Sequence, residues 1–311
     1  MTITRANIGR QLVPGLRLIL GESYGENTGE HKSLFETMSS ERAFEEMVMM
    51  TMFGNAVVKP EGSSIEYDDA QETYTARWVM QTLALGFVIT EEAMEDNLYD
   101  TKAKFNAAAL GRSMASTKET LAANVFNLGF STAQLFGDGV AFFSASHPTV
   151  GGTNLTNIIT GNPDLSEAAL QTAIPQIERL VDDRGILINA RPVSLHVAPE
   201  NQFTAEQILK TEYTTTNALN STNGITNQNA INAVKAGRYF PKGWYSNTRF
   251  TDTDAFFIKT SVPNSAIMFQ RTPMQTAMEG DFNTGNLRFK SRERYSFGVG
   301  DWRGFFGSAG S

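Results

Sequence analysis

Residues 143–148, Phe-Ser-Ala-Ser-His-Pro, are the part of the sequence that most resembles a hydrolase site. A serine nucleophile needs a base such as histidine to accept its proton, and Ser144 and Ser146 lie just before His147. The segment lacks the Gly-x-Ser-x-Gly pattern that presents a serine nucleophile on a sharp turn. We therefore interpret both serines as loop residues with local hydrogen bonds and predict no catalytic residue. A hydrolase that uses His147 is the alternative.

Residues that could bind a metal ion are few and scattered. His31, His147 and His196 show no close pairing, and the chain contains no cysteine. Asp281–Gly285 begins like a calcium-binding loop, but its glycine occupies the fifth position instead of the sixth. Arg292 stands where that loop needs a bidentate glutamate. We predict a tight turn here, and no metal or other cofactor.

Sequence patterns for nucleotide or nucleic-acid binding are also missing. There is no Gly-x-x-x-x-Gly-Lys-Ser/Thr motif, and the Gly-x-Gly of Phe297–Asp301 is followed by Trp302 and Arg303 instead of a helix start. The net charge of −7 argues against a protein that grips nucleic acid through an overall basic surface. Enclosing nucleic acid without gripping it remains compatible with this charge.

Two groups of charged residues are candidates for contact with a partner protein. Acidic residues cluster at positions 61–72, and basic residues alternate along a predicted strand at 290–294, where alternate side chains share one face. The basic strip either meets an acidic partner or is an ordinary solvated face. We interpret the pairs Asp68/Asp69 and Asp182/Asp183 as surface charges. The contact candidates are Glu61, Glu66, Asp68, Asp69, Glu72, Lys290, Arg292 and Arg294.

The elements before residue 130 are predicted from periodicity. Residues 1–30, rich in Gly, Asn and charge, indicate an extended arm or a disordered tail, and 33–52 have helical spacing. Residues 53–90 predict a long β-hairpin, either projecting or lying on the surface. A helix is predicted over 91–128, with Thr90 as its N-cap. If it is continuous, it would be about 57 Å long. The alternative is two helices with a break at Gly111.

Beyond residue 130, predicted helices and strands follow each other without the regular alternation of a parallel α/β sheet, so we predict an α+β fold. The elements are a loop-rich region at 131–163, a helix capped by Ser166, a strand at Val193–Val197, a short helix at Phe203–Leu209, a polar loop at 211–232, and strands over Trp244–Ile258 and from Ala266 onward.

Targeting signals are not evident. No apolar run approaches the roughly 18 residues of a membrane-spanning helix, and the first 25 residues lack the apolar core of a secretory signal. Together with the absence of cysteine, these features predict synthesis and folding in a reducing cytoplasm.

The closing segment, residues 293–308, combines five aromatic residues with four glycines: Glu-Arg-Tyr-Ser-Phe-Gly-Val-Gly-Asp-Trp-Arg-Gly-Phe-Phe-Gly-Ser. Aromatic residues at this density need burial or a partner, so we predict a strand fixed in a sheet. Taken in order, the segments of the chain resemble major capsid proteins of tailed bacteriophages, in particular the Mu-like major head subunit family. The closing segment is the most specific part of this resemblance. The other matching segments are Leu135–Gly139, Phe143–Pro148, Ser166–Leu170, Val197–Pro199, Phe203–Glu206, Phe250–Thr260 and Asp281–Thr284.

The resemblance implies the Hong Kong 97-type fold and a structural protein without enzymatic activity. It implies hexamers and pentamers that close into an icosahedral shell around double-stranded DNA, without sequence-specific binding and without a membrane. The implied domains are an N-terminal arm and first helix at 1–52, an E-loop hairpin at 53–90 that lies over a neighbouring subunit, a P-domain spine helix at 91–130, mainly A-domain at 131–265, and P-domain return strands at 266–311.

The implied partners are further copies of the chain, a portal protein, a separate scaffold protein and, in some phages, a decoration protein. Lys59 is the only lysine of the predicted hairpin, and it matches no known crosslinking pattern, so we predict no crosslink. An encapsulin-like shell that packages enzymes is the nearest alternative. A phage tail or decoration protein is a further one, although the long helix and the full-length resemblance argue against it.

Overall fold

The fold is known from a computed structural model, which describes residues 5–26, 29–95, 99–220, 224–281 and 284–310. Helices and strands are mixed, as the α+β prediction requires. The helices are α1 Arg5–Glu26, α2 His31–Leu34, α3 Glu91–Glu95, α4 Tyr99–Asn127, α5 Glu167–Glu178, α6 Gln202–Lys210 and α7 Ala233–Ala236. The strands are β1 Glu36–Ser39, β2 Phe44–Met50, β3 Glu72–Val79, β4 Gln81–Ile89, β5 Pro192–Val197, β6 Tyr213–Asn220, β7 Gly224–Ile231, β8 Trp244–Ser246, β9 Phe256–Thr260, β10 Ala266–Gly280, β11 Leu287–Val299 and β12 Phe305–Ser308.

The chain forms two compact units, each built from three separate stretches of sequence. Unit 1 comprises Met1–Glu45, Trp78–Ala122 and Met268–Phe297, and unit 2 comprises Glu46–Arg77, Ala123–Ile267 and Gly298–Ser311. The predicted return segment 266–311 therefore contributes to both units, because most of β10 and most of β11 belong to unit 1 whereas β12 belongs to unit 2. The P-domain and A-domain assignments stay predictions.

Unit 1 contains a four-stranded sheet with the order β1-β10-β11-β4. Strands β11 and β4 are antiparallel, with Leu287 opposite Ile89 and Tyr295 opposite Gln81. Helix α4 faces this sheet with apolar residues spaced by four, three and four positions, which is the period of one helix face. The core residues are Leu16 and Leu20 of α1, Ala103, Ala107, Leu110 and Met114 of α4, Ile89 of β4 and Phe289 of β11.

Helix α4 runs without a break from Tyr99 to Asn127, so Gly111 does not interrupt it. A Cβ atom at Gly111 would lie 2.6 Å from the carbonyl oxygen of Leu20. The glycine therefore permits the close approach of α1 to α4, which its position in the sequence did not reveal. Continuity between α3 and α4 falls on residues 96–98, which lie outside the described residues.

Replacing Gly111 by alanine should destabilise unit 1 by roughly 1–3 kcal/mol, because the added methyl group overlaps a backbone atom of α1 that cannot move independently. Gly21→Ala in α1 is the matched control, since a Cβ atom there meets nothing within 4 Å. It should stabilise the protein by up to about 1 kcal/mol through helix propensity. Urea unfolding curves of both variants provide the measurement, and a shift in the same direction for both would contradict the packing argument.

The first 52 residues differ from their prediction. The stretch expected to be an arm or a tail contains α1, and Leu16 and Leu20 on this helix are buried. The helix predicted over 33–52 is wrong, because this region holds the end of α2 followed by β1 and β2. In β2 the burial of side chains alternates from one residue to the next, which is the strand period.

The hairpin predicted over 53–90 has its strands in other places. Strand β3 pairs with β2 and β4 pairs with β11, so the hairpin arms are β2 and β3. Residues 51–71 join them; all of these are described, and they form no helix or strand. We call this segment the 51–71 loop. Its base is closed by a hydrogen bond from the Thr51 amide to the Gln71 carbonyl oxygen at 2.8 Å, and a turn lies at Gly62, where φ is +79°.

Unit 2 contains a second four-stranded sheet with the order β12-β9-β5-β8. The predicted strand at Val193–Val197 and the helix at Phe203–Leu209 correspond to β5 and α6, and Ser166 caps α5 by accepting a hydrogen bond from the Ala169 amide at 3.1 Å. The polar loop predicted at 211–232 is wrong, since β6 and β7 pair as a hairpin. Threonine has high strand propensity, and the abundant asparagine concealed that signal.

Candidate assembly site

His147 is held in unit 2 by groups that occupy both of its ring nitrogens. Nδ1 lies 2.6 Å from Oδ2 of Asp138, and Nε2 lies 3.0 Å from Oδ1 of Asn157. The ring stacks on Trp302 with a centroid distance of 4.1 Å, and its side chain is fully buried. Because neither ring nitrogen contacts a serine, the arrangement anchors a loop to the closing segment, and nothing in its geometry activates a nucleophile.

The other two histidines also have local partners. Nδ1 of His31 lies 2.6 Å from Oε1 of Glu119 in unit 1. In unit 2, burial, reinforced by the positive charge of Lys259, lowers the pKa of His196 to about 3, so this ring is neutral at pH 7. Among the described residues no three histidine or acidic side chains are grouped as a metal site would require.

The predicted turn at Asp281–Gly285 is confirmed for its described residues. The amide of Gly285 donates to the carbonyl oxygen of Asp281 at 2.8 Å, with φ +69° at Gly285. The Asp281 carboxylate forms an ion pair with Arg288.

Aromatic residues of the closing segment form the centre of unit 2. Phe305 and Phe306 on β12 are fully buried, and β12 is antiparallel to β9. The Phe305 ring packs edge-on against Phe126 of α4 at 5.0 Å. The side-chain amide of Asn157 donates to the carbonyl oxygens of Phe142, Trp302 and Phe305. The prediction of a strand fixed in a sheet is confirmed, although no sequence motif marked Asn157.

Asp182 and Asp183 differ from the expectation that they are surface charges, since Asp182 is buried and Asp183 is partly buried. Nη2 of Arg303 lies 2.8 Å from Oδ1 of Asp183, and both side chains are nearly buried. Nη1 of Arg303 lies 3.4 Å from Oδ1 of Asp301. Burial raises the pKa of Asp301, and the adjacent guanidinium of Arg303 opposes this shift. Arg303 is therefore part of an internal ionic cluster and is a poor candidate for contact with another subunit.

The acidic contact candidates are all exposed at the surface of unit 2. Glu61, Glu66, Asp68 and Asp69 lie on the 51–71 loop, and Glu72 begins β3. Asp68 differs from the others because its carboxylate accepts hydrogen bonds from the amide of Gly54 and from Arg184. These two contacts lower the pKa of Asp68, with the amide contributing most. Asp68 therefore has a partner within its own chain.

The predicted alternation along β11 is confirmed, because its basic residues lie on the face opposite its buried side chains. The role of this basic strip in contacting a partner stays a prediction. Lys290 and Arg292 are exposed, whereas Arg294 is half-buried. Their neighbours across the strand pair are small, Gly86 opposite Lys290 and Ala84 opposite Arg292, so neither cationic group is covered from β4. The strip belongs to unit 1, and its other face is buried. The residues of that buried face are Phe289, Ser291, Glu293 and Tyr295.

Glu293 and Lys118 form a buried ion pair in unit 1 that the sequence did not indicate. Nζ of Lys118 lies 3.5 Å from Oε2 of Glu293 and donates to the Tyr24 hydroxyl oxygen at 3.1 Å. Burial, and then the nearby Glu293 carboxylate, raise the pKa of Tyr24, so the hydroxyl stays protonated. The glutamate is on a strand that otherwise alternates basic and apolar residues, and that alternation is the only signal that could have revealed its burial.

None of the helices in the described part of the chain combines the length and the apolar character needed to cross a membrane.

Solved structures of viral and related particles have a similar fold. The procapsid of bacteriophage JBD30 gives a TM-score of 0.52 at 13% identity, covering 98% of this chain and 76% of that chain. The capsid of a native GTA particle gives 0.54 at 10% identity, covering 89% and 88%. A virus-like particle from Pyrococcus furiosus gives 0.49 at 12% identity, covering 94% and 96%. The JBD30 and GTA matches show a mixed α+β fold similar to phage capsid structures.

A family profile described as phage capsid protein matches residues 73–307, which is more than half of the chain. No curated relative matches. The matched range includes β3, β4, α4, both four-stranded sheets except β1, and the buried aromatic residues of the closing segment. The chain belongs to the phage capsid protein family and is a capsid shell protein.

Proposed function

We propose that this protein is the major head subunit of a tailed bacteriophage, of the Mu-like group and with the Hong Kong 97-type fold. Its copies form hexamers and pentamers that close into an icosahedral shell around double-stranded DNA. The family match over residues 73–307 is the observation that carries the proposal. The protein is made in the host cytoplasm, resides in the virion and has no enzymatic activity.

Within this proposal, the 51–71 loop with β2 and β3 is the E-loop, and α4 is the spine helix. The loop exposes acidic side chains and β11 exposes Lys290 and Arg292, so the two surfaces have complementary charge. We assign the acidic loop of one subunit to the basic strip of a neighbour. Such contacts fix orientation and speed association more than they raise affinity. Separate scaffold, portal and decoration proteins would complete the head.

Electron microscopy of the purified protein tests the proposed function directly. Closed shells of uniform size support it, and a protein that stays monomeric alone and with its scaffold protein contradicts it. An encapsulin-like compartment is the second candidate, and shell contents separate the two. Double-stranded DNA in particles from infected cells favours a phage head, whereas a co-purified enzyme favours the compartment.

Reversing the charge of the loop with Glu61→Lys and Glu66→Lys should lower shell yield about tenfold, because like charges placed together oppose correct docking. These residues are better targets than Asp68, whose carboxylate binds Arg184 in the same chain. Lys290→Glu and Arg292→Glu should have the same effect, and combining all four substitutions should restore much of the yield. Sedimentation and electron microscopy measure the yield.

The control for this experiment is Glu178→Lys, which reverses an exposed charge at the end of α5 in unit 2. It should leave assembly unchanged. If the fourfold variant assembles no better than either twofold variant, the proposed pairing of loop and strip is wrong, even where the shell function holds.

A further inference from the structure

Arg184 contacts the 51–71 loop of its own chain at two successive residues. Its Nη1 atom lies 2.8 Å from Oδ1 and 2.9 Å from Oδ2 of Asp68, and its Nη2 donates to the carbonyl oxygen of Asp69. The Asp68 carboxylate also accepts from the amide of Gly54 at 2.7 Å. The Arg184 guanidinium group thus binds the C-terminal part of the loop at Asp68 and Asp69. The Asp68 carboxylate in turn connects this part to Gly54 in the N-terminal part of the loop.

The turn that carries Arg184 is held together by its own hydrogen bonds. Oδ1 of Asp182 accepts hydrogen bonds from the amides of Arg184 and Ile186, each at 2.8 Å. The amide of Asp182 in turn donates to the carbonyl oxygen of Ile186 at 2.8 Å, and Gly185 takes the left-handed conformation with φ +81° that such a tight turn requires. These hydrogen bonds position the backbone of Arg184 without any contribution from the contacts of its side chain with the loop.

The same turn is tied to the core of unit 2 through its neighbour Asp183. The Asp183 carboxylate pairs with Arg303, and the Arg303 guanidinium lies 4.6 Å from the centre of the Trp302 ring. Trp302 stacks in turn on His147. A continuous series of contacts therefore runs from the closing segment to the base of Arg184.

The loop itself has little apolar burial to hold it in place. Its large apolar residues are exposed, with relative accessibilities of 89% for Val58 and 86% for Tyr67. Phe53, Val57 and Ile65 are also exposed. A segment without buried apolar contacts opens at little cost in free energy. Its direction must then depend on polar contacts, and Arg184 makes three of them.

We propose that Arg184 is an intrachain latch that fixes the direction of the 51–71 loop before the loop meets a neighbouring subunit. The latch rests on contacts within unit 2 alone, while its use in placing the loop on a neighbour rests on the proposed capsid function. Pre-orientation lowers the conformational entropy lost on docking, so the latch prepares the loop for assembly.

The experiment measures loop position in the unassembled chain. Since the sequence has no cysteine, Ser63→Cys in the loop and Glu178→Cys on α5 allow specific spin labelling, and both positions are exposed in unit 2. We expect one narrow distance distribution in the otherwise native protein. Arg184→Gln should broaden it, as should Asp68→Asn, which keeps an oxygen for the Gly54 amide but removes the charge.

Cleavage by a glutamate-specific protease after Glu61 and Glu66 is the second measurement. Without the latch it should be about fivefold faster, as expected for losing a well-oriented exposed ion pair. Asp69→Asn is the matched control for Asp68→Asn, because Asp69 contributes its backbone oxygen to the latch. Arg179→Gln, an exposed arginine after α5, is the control for Arg184→Gln. Both controls should behave like the native protein.

Unchanged distances and cleavage rates in Arg184→Gln and Asp68→Asn would overturn the latch. Should Arg184→Gln disturb folding, Asp68→Asn decides alone, since the Asp68 side chain is exposed at the far end of the contact. These measurements need no shell, so they stand even if microscopy contradicts the proposed function.

Discussion

Replacing Phe305 by alanine is expected to lower the free energy of unfolding of unit 2 by about 3–5 kcal/mol, the usual cost of removing a fully buried phenylalanine. The Phe305 side chain has no accessible surface, and its ring contacts those of Phe126 and Phe142. The lost stability has two parts. One is the free energy that the ring contributes by moving from water to the core, and the other is the cost of the cavity that remains. Asn157 holds the backbone of Phe305 in place, so the site cannot easily collapse.

Phe203→Ala is the control, because this phenylalanine of α6 lies in the same unit and is 71% exposed. Its effect should stay within about 0.5 kcal/mol, as for most surface substitutions. Chemical unfolding followed by circular dichroism measures both variants. If both variants lose a similar amount of stability, burial in the closing segment is not what stabilises unit 2. Truncation after Tyr295 is the stronger form of this test, because it removes β12 and the aromatic residues together.

The aromatic closing segment was predictable from sequence because composition alone demands its burial. Phe305 and Phe306 have no alternative to a core or an interface, whatever the fold. Helix α4 was predictable for a similar reason, since about eight turns of consistent periodicity favour one structure. Signals that are local and repeated need no knowledge of distant contacts.

Strand β2 and the β6–β7 hairpin were not predictable because their strand character depends on pairing. The spacing of Phe44, Met47 and Val48 is that of one helix face, and only the pairing with β3 makes this segment a strand. For β6 and β7, the backbone pairing supplies hydrogen bonds that composition does not reveal. Non-local pairing overrides weak local preference in both cases.

For the charged candidate residues, the sequence could predict which face of a strand they occupy but not which residues they form ion pairs with. Alternation along β11 correctly placed Lys290 and Arg292 on an exposed face. No pattern could indicate that Asp68 binds Arg184 or that Asp183 binds Arg303, because each pair joins residues more than 100 positions apart. Such ion pairs follow from the fold, and a single sequence contains no trace of them.

Lys118→Met is expected to destabilise unit 1 by about 3–5 kcal/mol, because it leaves the Glu293 carboxylate buried without its counter-charge. The Glu293 side chain is almost fully inaccessible, and Lys118 is the cation beside it. Methionine keeps most of the length and apolar volume of the lysine side chain. The expected loss therefore comes from the unpaired charge and only in small part from packing. Lys102→Met is the control, since Lys102 is exposed on the same helix.

The double variant Lys118→Met with Glu293→Gln separates the unpaired charge from every other effect of the substitution. Removing both charges removes the cost of burying one alone, so the double variant should be more stable than Lys118→Met by at least about 1 kcal/mol. Urea unfolding of the two single variants and the double variant gives the coupling energy. If the double variant is less stable than Lys118→Met, the lysine acts chiefly through the Tyr24 hydroxyl and the Tyr295 ring, 5.1 Å away, and the ion pair is not what requires a cation at this position.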